Sequence, residues 1–203
     1  MLKTKIAVLV SGGGTNLQAL IDAESSGILQ SGHIALVVSN VRGAYALERA
    51  EGAGIETLTL RKRDLGGQEG FEKALQDALE SRGIQLIVLA GFMSILSADF
   101  TRRWPERIIN VHPALIPSFC GKGFYGLHVH EAALAYGVKV TGATVHYVNE
   151  VPDGGRIIAQ RAVYVEDGDT PESLQQRVMR EAEWIILPRA AEQVSKEIME
   201  GKK

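Results

Sequence analysis

The chain has a single cysteine, Cys120, in 203 residues, so no internal disulfide can form and no CxxC metal or redox pair exists. An excess of charge is also missing. The 22 Lys and Arg stand against 24 Asp and Glu, a net charge of −2 that offers no basic field to nucleic acid or anionic lipid. There is no long hydrophobic run either. The opening MLKTKIAVLV holds an apolar stretch too short for a secretory core or a membrane span, so the cytoplasm is the expected compartment, with no membrane or nucleic-acid partner. What is present, 45% hydrophobic and 23% charged residues, suits one globular α/β domain over residues 1–203 and leaves no room for a second catalytic domain.

Residues 5–10 (KIAVLV) form an unbroken β-branched and apolar run, which predicts a strand buried on both faces in a parallel sheet. Ser11, Gly12, Gly13, Gly14, Thr15 and Asn16 follow, and then a helix carrying Leu17, Leu20 and Ile21 on one face. Strand, glycine loop and helix start in that order make a phosphate cradle: glycines let backbone N–H groups approach an anion, and the helix dipole favours its charge. A plain tight β-to-α turn has the same order. Of the nucleotide loops, G-x-G-x-x-G fails at Leu17, and the second strand ends in Ser39 and Asn40 with no acid for a ribose. No Gly-Lys-Ser/Thr follows, which excludes a Walker A loop. A small sugar monophosphate on Gly14, Thr15 and Asn16 remains.

Further strands are predicted at residues 34–39, 55–60 and 86–89, helices at 44–51 and 68–82, and a polar surface loop over 61–70. The alternation argues for a doubly wound, mostly parallel sheet with helices on both faces, whose ligands bind beyond the carboxyl ends of the strands. Phe92, Met93, Ser94, Ile95 and Leu96 follow the fourth strand and precede a helix start at Ser97. They fit plain core, or an apolar wall for a flat heteroaromatic ligand.

The stretch that organises the rest is residues 108–117, IINVHPALIP. Asn110 and His112 are two apart on an extended segment and share a face, and Pro113 and Pro117 end the pairing. An amide and an imidazole side by side at a strand end would receive an oxyanion; a turn-capping Asn and a half-buried His would look the same. Residues 118–126 (SFCGKGFYG) predict a mobile flap. His128 and His130 begin a helix, and an HxH pair without a third ligand at the proper spacing predicts no metal. A strand over 140–148, with Thr144 and His146 on one face, leads to a turn-rich loop over 149–155 that bears Asp153. That carboxylate is either a turn former before two glycines or the group that raises an imidazole's basicity and moves protons. A strand at 156–165 and one long helix at 171–192, where Glu183 either faces the cleft or is only solvated, complete the chain.

Taken together, SGGGTNLQ, AGFMSIL, INVHPALIP and HYVNEVPDGG resemble the corresponding motifs of folate-dependent phosphoribosylglycinamide formyltransferases, in that order and over roughly residues 5–190. The resemblance implies a formyltransferase-like fold with a Rossmann-type N-terminal half, residues 1–100 holding the ribonucleotide phosphate and 101–203 supplying catalysis and the folate site. It implies transfer of the formyl group of 10-formyltetrahydrofolate to the amino group of glycinamide ribonucleotide in purine biosynthesis, with Asn110, His112 and Asp153 catalytic. By the same resemblance Gly13, Gly14, Thr15, Asn16 and Pro113 bind the ribonucleotide and Glu183 its ribose hydroxyls. Phe92, Met93, Ser94, Ile95, Leu96, Asn149, Glu150 and Val151 bind the folate. A monomer or weak homodimer without metal is expected.

The chain departs from the family pattern in Ser94, where arginine often stands, in a longer loop over 118–126, and in EAEWIILP in place of E-H-x-x-Y-P. Formyltetrahydrofolate hydrolysis is the nearest rival, and a non-catalytic sugar-phosphate sensor is a rival of another kind. Methionyl-tRNA formylation is disfavoured, because no basic C-terminal domain is present for RNA.

Overall fold

The computed structural model describes residues 2–203. Seven strands, β1 Thr4–Val10, β2 Gly32–Ser39, β3 Glu56–Thr59, β4 Leu86–Leu89, β5 Ile108–His112, β6 Val140–Tyr147 and β7 Ile157–Tyr164, form one sheet in the order β3-β2-β1-β4-β5-β6-β7. The pairs among β1 to β5 are all parallel, while β6 runs antiparallel to β5 and β7 antiparallel to β6. This is the doubly wound, mostly parallel sheet that the alternation predicts.

Helices cover both faces because the central strands are apolar on both. In β1, Ile6, Val8 and Val10 pack on α1 (Thr15–Ser26), α2 (Tyr45–Gly52), α6 (Pro171–Val178) and α7 (Trp184–Met199). The alternate residues Ala7 and Leu9 face α3 (Gln68–Ser81) and α4 (Ala98–Arg102), through Phe71, Leu75, Leu79 and Phe100. Strand order reverses between β1 and β4, so the loops after those strands open a crevice at the carboxyl edge, where such sheets take their ligands. α5 (Leu127–Tyr136) packs beside α6 at the same end. No helix among the described residues is long and apolar enough to cross a membrane.

Two elements differ from the sequence-based expectation. The polar stretch over 61–70 contains a 3-10 turn at Lys62–Asp64. The predicted single helix over 171–192 is broken by a π turn at Met179–Glu183 and runs on to Met199. Pro188 supplies a reason: it has no N–H for the carbonyl of Trp184, where the π turn ends, and its ring crowds that carbonyl.

Candidate active site

The crevice is a cleft of about 850 Å³ whose walls include the glycine loop, the segment after β4, the end of β5, the stretch before α5 and the loop that bears Asp153. At one end lies the glycine loop. Gly14 has φ 72, and a Cβ there would stand 2.6 Å from the Cβ of Ala46, so only glycine lets α2 press so closely under the turn. Arg49 Nε donates to the Gly13 carbonyl at 2.8 Å and holds the loop from outside. The first bond of α1 runs from Gln18 N to Gly14 O, which leaves the N–H groups of Thr15, Asn16 and Leu17 without helical partners at the positive end of the dipole.

Glu183 reaches this end from the π turn. It is buried, accepts a 2.6 Å hydrogen bond from Asn16 Nδ2, and burial pushes its carboxyl up to about 7 against the downward pull of that bond. The other amide atom, Asn16 Oδ1, is buried without a partner.

At the other end stand Asn110 and His112. Their register partners across the β5–β6 pair are His146 and Thr144, so four polar side chains share one face at the carboxyl end of β5. Asn110 Nδ2 lies 3.2 Å from His146 Nε2, whose ring donates from Nδ1 to the Tyr147 carbonyl at 2.8 Å. Asp153 sits between the two imidazoles, its oxygens 3.6 Å from His112 Nδ1 and 3.6 Å from His146 Nε2. Its backbone is left-handed, φ 56, and the loop that carries it is fixed by Gly155, where a Cβ would fall 1.7 Å from the Tyr147 carbonyl.

The residues over 118–126 close this end with backbone. Phe119 O accepts from His112 Nε2 at 2.8 Å, and Gly121 N donates to Asp153 Oδ2 at 2.8 Å. Burial lowers the pKa of His112, while Asp153 and the Phe119 carbonyl pull it back up. Burial pushes the Asp153 carboxyl up, but the His146 ring, the Gly121 N–H and the nearby His112 imidazole outweigh it and hold it below the usual carboxylate range. The site therefore presents a carboxylate beside an imidazole that can carry the proton between them.

The apolar side of the cleft is Phe92, Met93, Ser94 and Ile95, with Met93 56% and Ile95 72% exposed. Leu96, also predicted for this wall, is buried in the α3–α4 core where the chain begins α4 and is not among the residues that line the cleft. Ser94 accepts from Asn40 Nδ2 at 3.0 Å and ties the wall to the end of β2. Asn149, Glu150 and Val151 lie exposed outside the lining, which the loop reaches only with Pro152 and Asp153; Asn149 instead caps the Val151 N–H. Gly13, Gly14, Thr15, Asn16, Pro113 and Glu183 all line the cleft.

Sequence reasoning missed His146, and the signal was its alternation with Thr144 opposite Asn110 and His112. It also missed Asn40 and His130. His130 is fully buried on the cleft wall with neither ring nitrogen bonded, and burial, followed by the nearby His112, lowers its pKa to about 4. Among the described residues no three His, Cys, Asp or Glu gather as a metal site.

Comparison with known proteins points one way. The family model for formyl transferase matches residues 4–191. The chain is 41% identical to the phosphoribosylglycinamide formyltransferase of Haemophilus influenzae over 91% of this chain and 84% of that protein. It is 45% identical to the trifunctional purine biosynthetic protein adenosine-3 of Gallus gallus over 95% of this chain, and it spans only 18% of that protein's length. In structure it is similar to glycinamide ribonucleotide transformylase 1 from Symbiobacterium toebii, with a TM-score of 0.89, 40% identity, and coverage of 96% of this chain and 88% of that one.

Proposed function

The chain belongs to the formyl transferase family, and from that premise we propose that it transfers the formyl group of 10-formyltetrahydrofolate to the amino group of glycinamide ribonucleotide, giving formylglycinamide ribonucleotide and tetrahydrofolate. The observation that carries this reading is convergence: Asn110, His112 and Asp153 meet at one end of a cleft whose other end is the free N-terminus of α1.

The ribonucleotide phosphate sits on Gly13, Gly14, Thr15 and Asn16, Glu183 accepts from the ribose hydroxyls, and Pro113 lies against the sugar. The pterin lies along Phe92, Met93, Ser94 and Ile95, with the 149–153 loop at its edge. The neutral amine attacks the formyl carbon, and the carbonyl oxygen gains the charge. The Asn110 N–H not used by His146 and the protonated His112 stabilise that oxyanion. Asp153 takes the proton leaving the amine, and the His112–Asp153 pair returns one to the departing folate nitrogen, so protons balance. Holding both reactants in one cleft supplies the rest of the acceleration. The first half of the chain thus contributes the phosphate cradle and the pterin wall, and the second half the catalytic groups together with Pro113 and Glu183, within a single domain. We assign this activity to a monomer or weak homodimer in the cytoplasm.

Release of tetrahydrofolate from 10-formyltetrahydrofolate tests the proposal. It is expected to require glycinamide ribonucleotide and to match formylated product in amount, and each substrate is expected to raise the melting temperature. Release without the ribonucleotide would make the protein a hydrolase. Stabilisation by the ribonucleotide with no release at all would make it a sensor.

A further inference from the structure

Phe119 lies seven residues beyond His112 with φ 49, a left-handed backbone that a bulky aromatic residue adopts at a cost. What that conformation achieves is the placement of its carbonyl, 2.8 Å from His112 Nε2. A carbonyl only accepts, so Nε2 must carry the hydrogen, and the nitrogen free to gain and lose a proton is Nδ1, which faces Asp153 at 3.6 Å.

The backbone is held in place from two sides. On the strand side, Thr144 Oγ1 donates to Ala114 O at 2.7 Å and accepts from Ile116 N at 3.1 Å, and Gln160 Nε2 donates to Ile116 O at 2.9 Å. On the other side, the Phe119 ring meets Phe124, which lines the cleft, at 6.3 Å and 63° and Tyr136 at 6.0 Å and 74°, both edge to face. Tyr136 closes α5, is 82% exposed and takes no part in the cleft lining. The carbonyl that orients the imidazole is therefore pinned by an aromatic clasp that runs from Phe124 on the cleft wall to Tyr136 at the surface.

We propose that Phe119 is a positioning residue for His112, and that Tyr136 and Phe124 clasp its ring so that its carbonyl keeps the working proton on the Asp153 side of the imidazole. The inference rests on the formyl-transfer reading for its consequence in rate, but its structural content does not.

The test has two readouts. In nitrogen-15 spectra of the histidine-labelled protein, neutral His112 is expected as one tautomer with hydrogen on Nε2. Phe119→Ala is expected to give a mixture of tautomers and a kcat lower by about 10-fold or more, with KM for both substrates little changed. Tyr136→Ala, at a surface position that does not endanger folding, removes one edge-to-face pair and is expected to lower kcat by about 2- to 10-fold. Tyr136→Phe, which keeps the ring, restores both readouts. A single Nε2–H tautomer in both alanine variants overturns the proposal, whatever the rates. If the unaltered chain transfers no formyl group while the tautomer still responds to these variants, the functional reading fails and the positioning role stands.

Discussion

The two ends of the cleft are built by different means. The ribonucleotide end is backbone geometry at one β-to-α junction: a left-handed Gly14 that α2 packs beneath, and unpaired N–H groups at the start of α1. The chemical end draws on β5, β6 and two loops, and two of its members, Phe119 and Asp153, are left-handed without being glycine. Such conformations cost about 1–3 kcal/mol each and persist only where neighbours over-determine them, here through the His112, Gly121 and Tyr147 contacts. Anchoring can be written into a short motif, whereas placing a proton requires agreement among distant parts of the chain.

The widest separation between the ends is expected from Asp153→Asn. Asparagine tolerates a left-handed backbone better than most residues and can still accept from Gly121 N, so the loop keeps its shape. What goes is the charge that holds a proton on His112 and receives one from the amine. The value of kcat is expected to fall by about 10²- to 10⁴-fold, while calorimetric affinity for glycinamide ribonucleotide stays the same. Full rate in this variant would mean that Asp153 only shapes the turn.

Legibility in the sequence follows the same division. Residues 11–16 were readable because strand, glycines and helix start are contiguous, and the sheet was readable from runs that are apolar on both faces. Asn110 and His112 declared themselves by spacing, yet their partner His146 emerges only once β6 is known to run antiparallel to β5 with Asn110 opposite His146. Leu96 resembled its neighbours in composition, and only its packing in the α3–α4 core sets it apart from them. The π turn was hidden because it adds one residue to a helix whose apolar pattern continues on either side, and it is this turn that carries Glu183.

Glu183 allows the anchor end to be probed by pH. Its carboxyl titrates at about 7 in the folded chain against 4.5 for an ordinary glutamate, so between those values the folded state holds a proton that the unfolded state has released. Its contribution to stability is therefore complete in acid and is lost as pH rises from about 4.5 to about 7. His112 and His130, both lowered by burial, act in the opposite sense over part of that window, and their folded states gain stability as pH rises. The difference between two chains isolates the glutamate. Glu183→Gln keeps an acceptor for Asn16 and never ionises. Its stability relative to the unaltered chain, from urea melts, is expected to be flat below pH 4.5 and to grow by up to about 3 kcal/mol by pH 7. A difference independent of pH would place the Glu183 carboxyl in contact with water.

Gly14→Ala gives the smallest effect and the sharpest contrast with Asp153→Asn. A left-handed alanine costs about 1–2 kcal/mol, and the new methyl would stand 2.6 Å from the Cβ of Ala46 and 2.8 Å from its Cα, so α2 must move back and the cradle must open. The chemical end shares no hydrogen bond with that turn. A lower melting temperature is expected, together with a KM for glycinamide ribonucleotide raised about 10-fold and a kcat at saturation close to that of the unaltered chain, the signature of lost uniform binding. Equal losses in kcat and kcat/KM would show that the glycine turn also sets the approach of the amine to the formyl carbon, and the two ends would then have to be treated as one device.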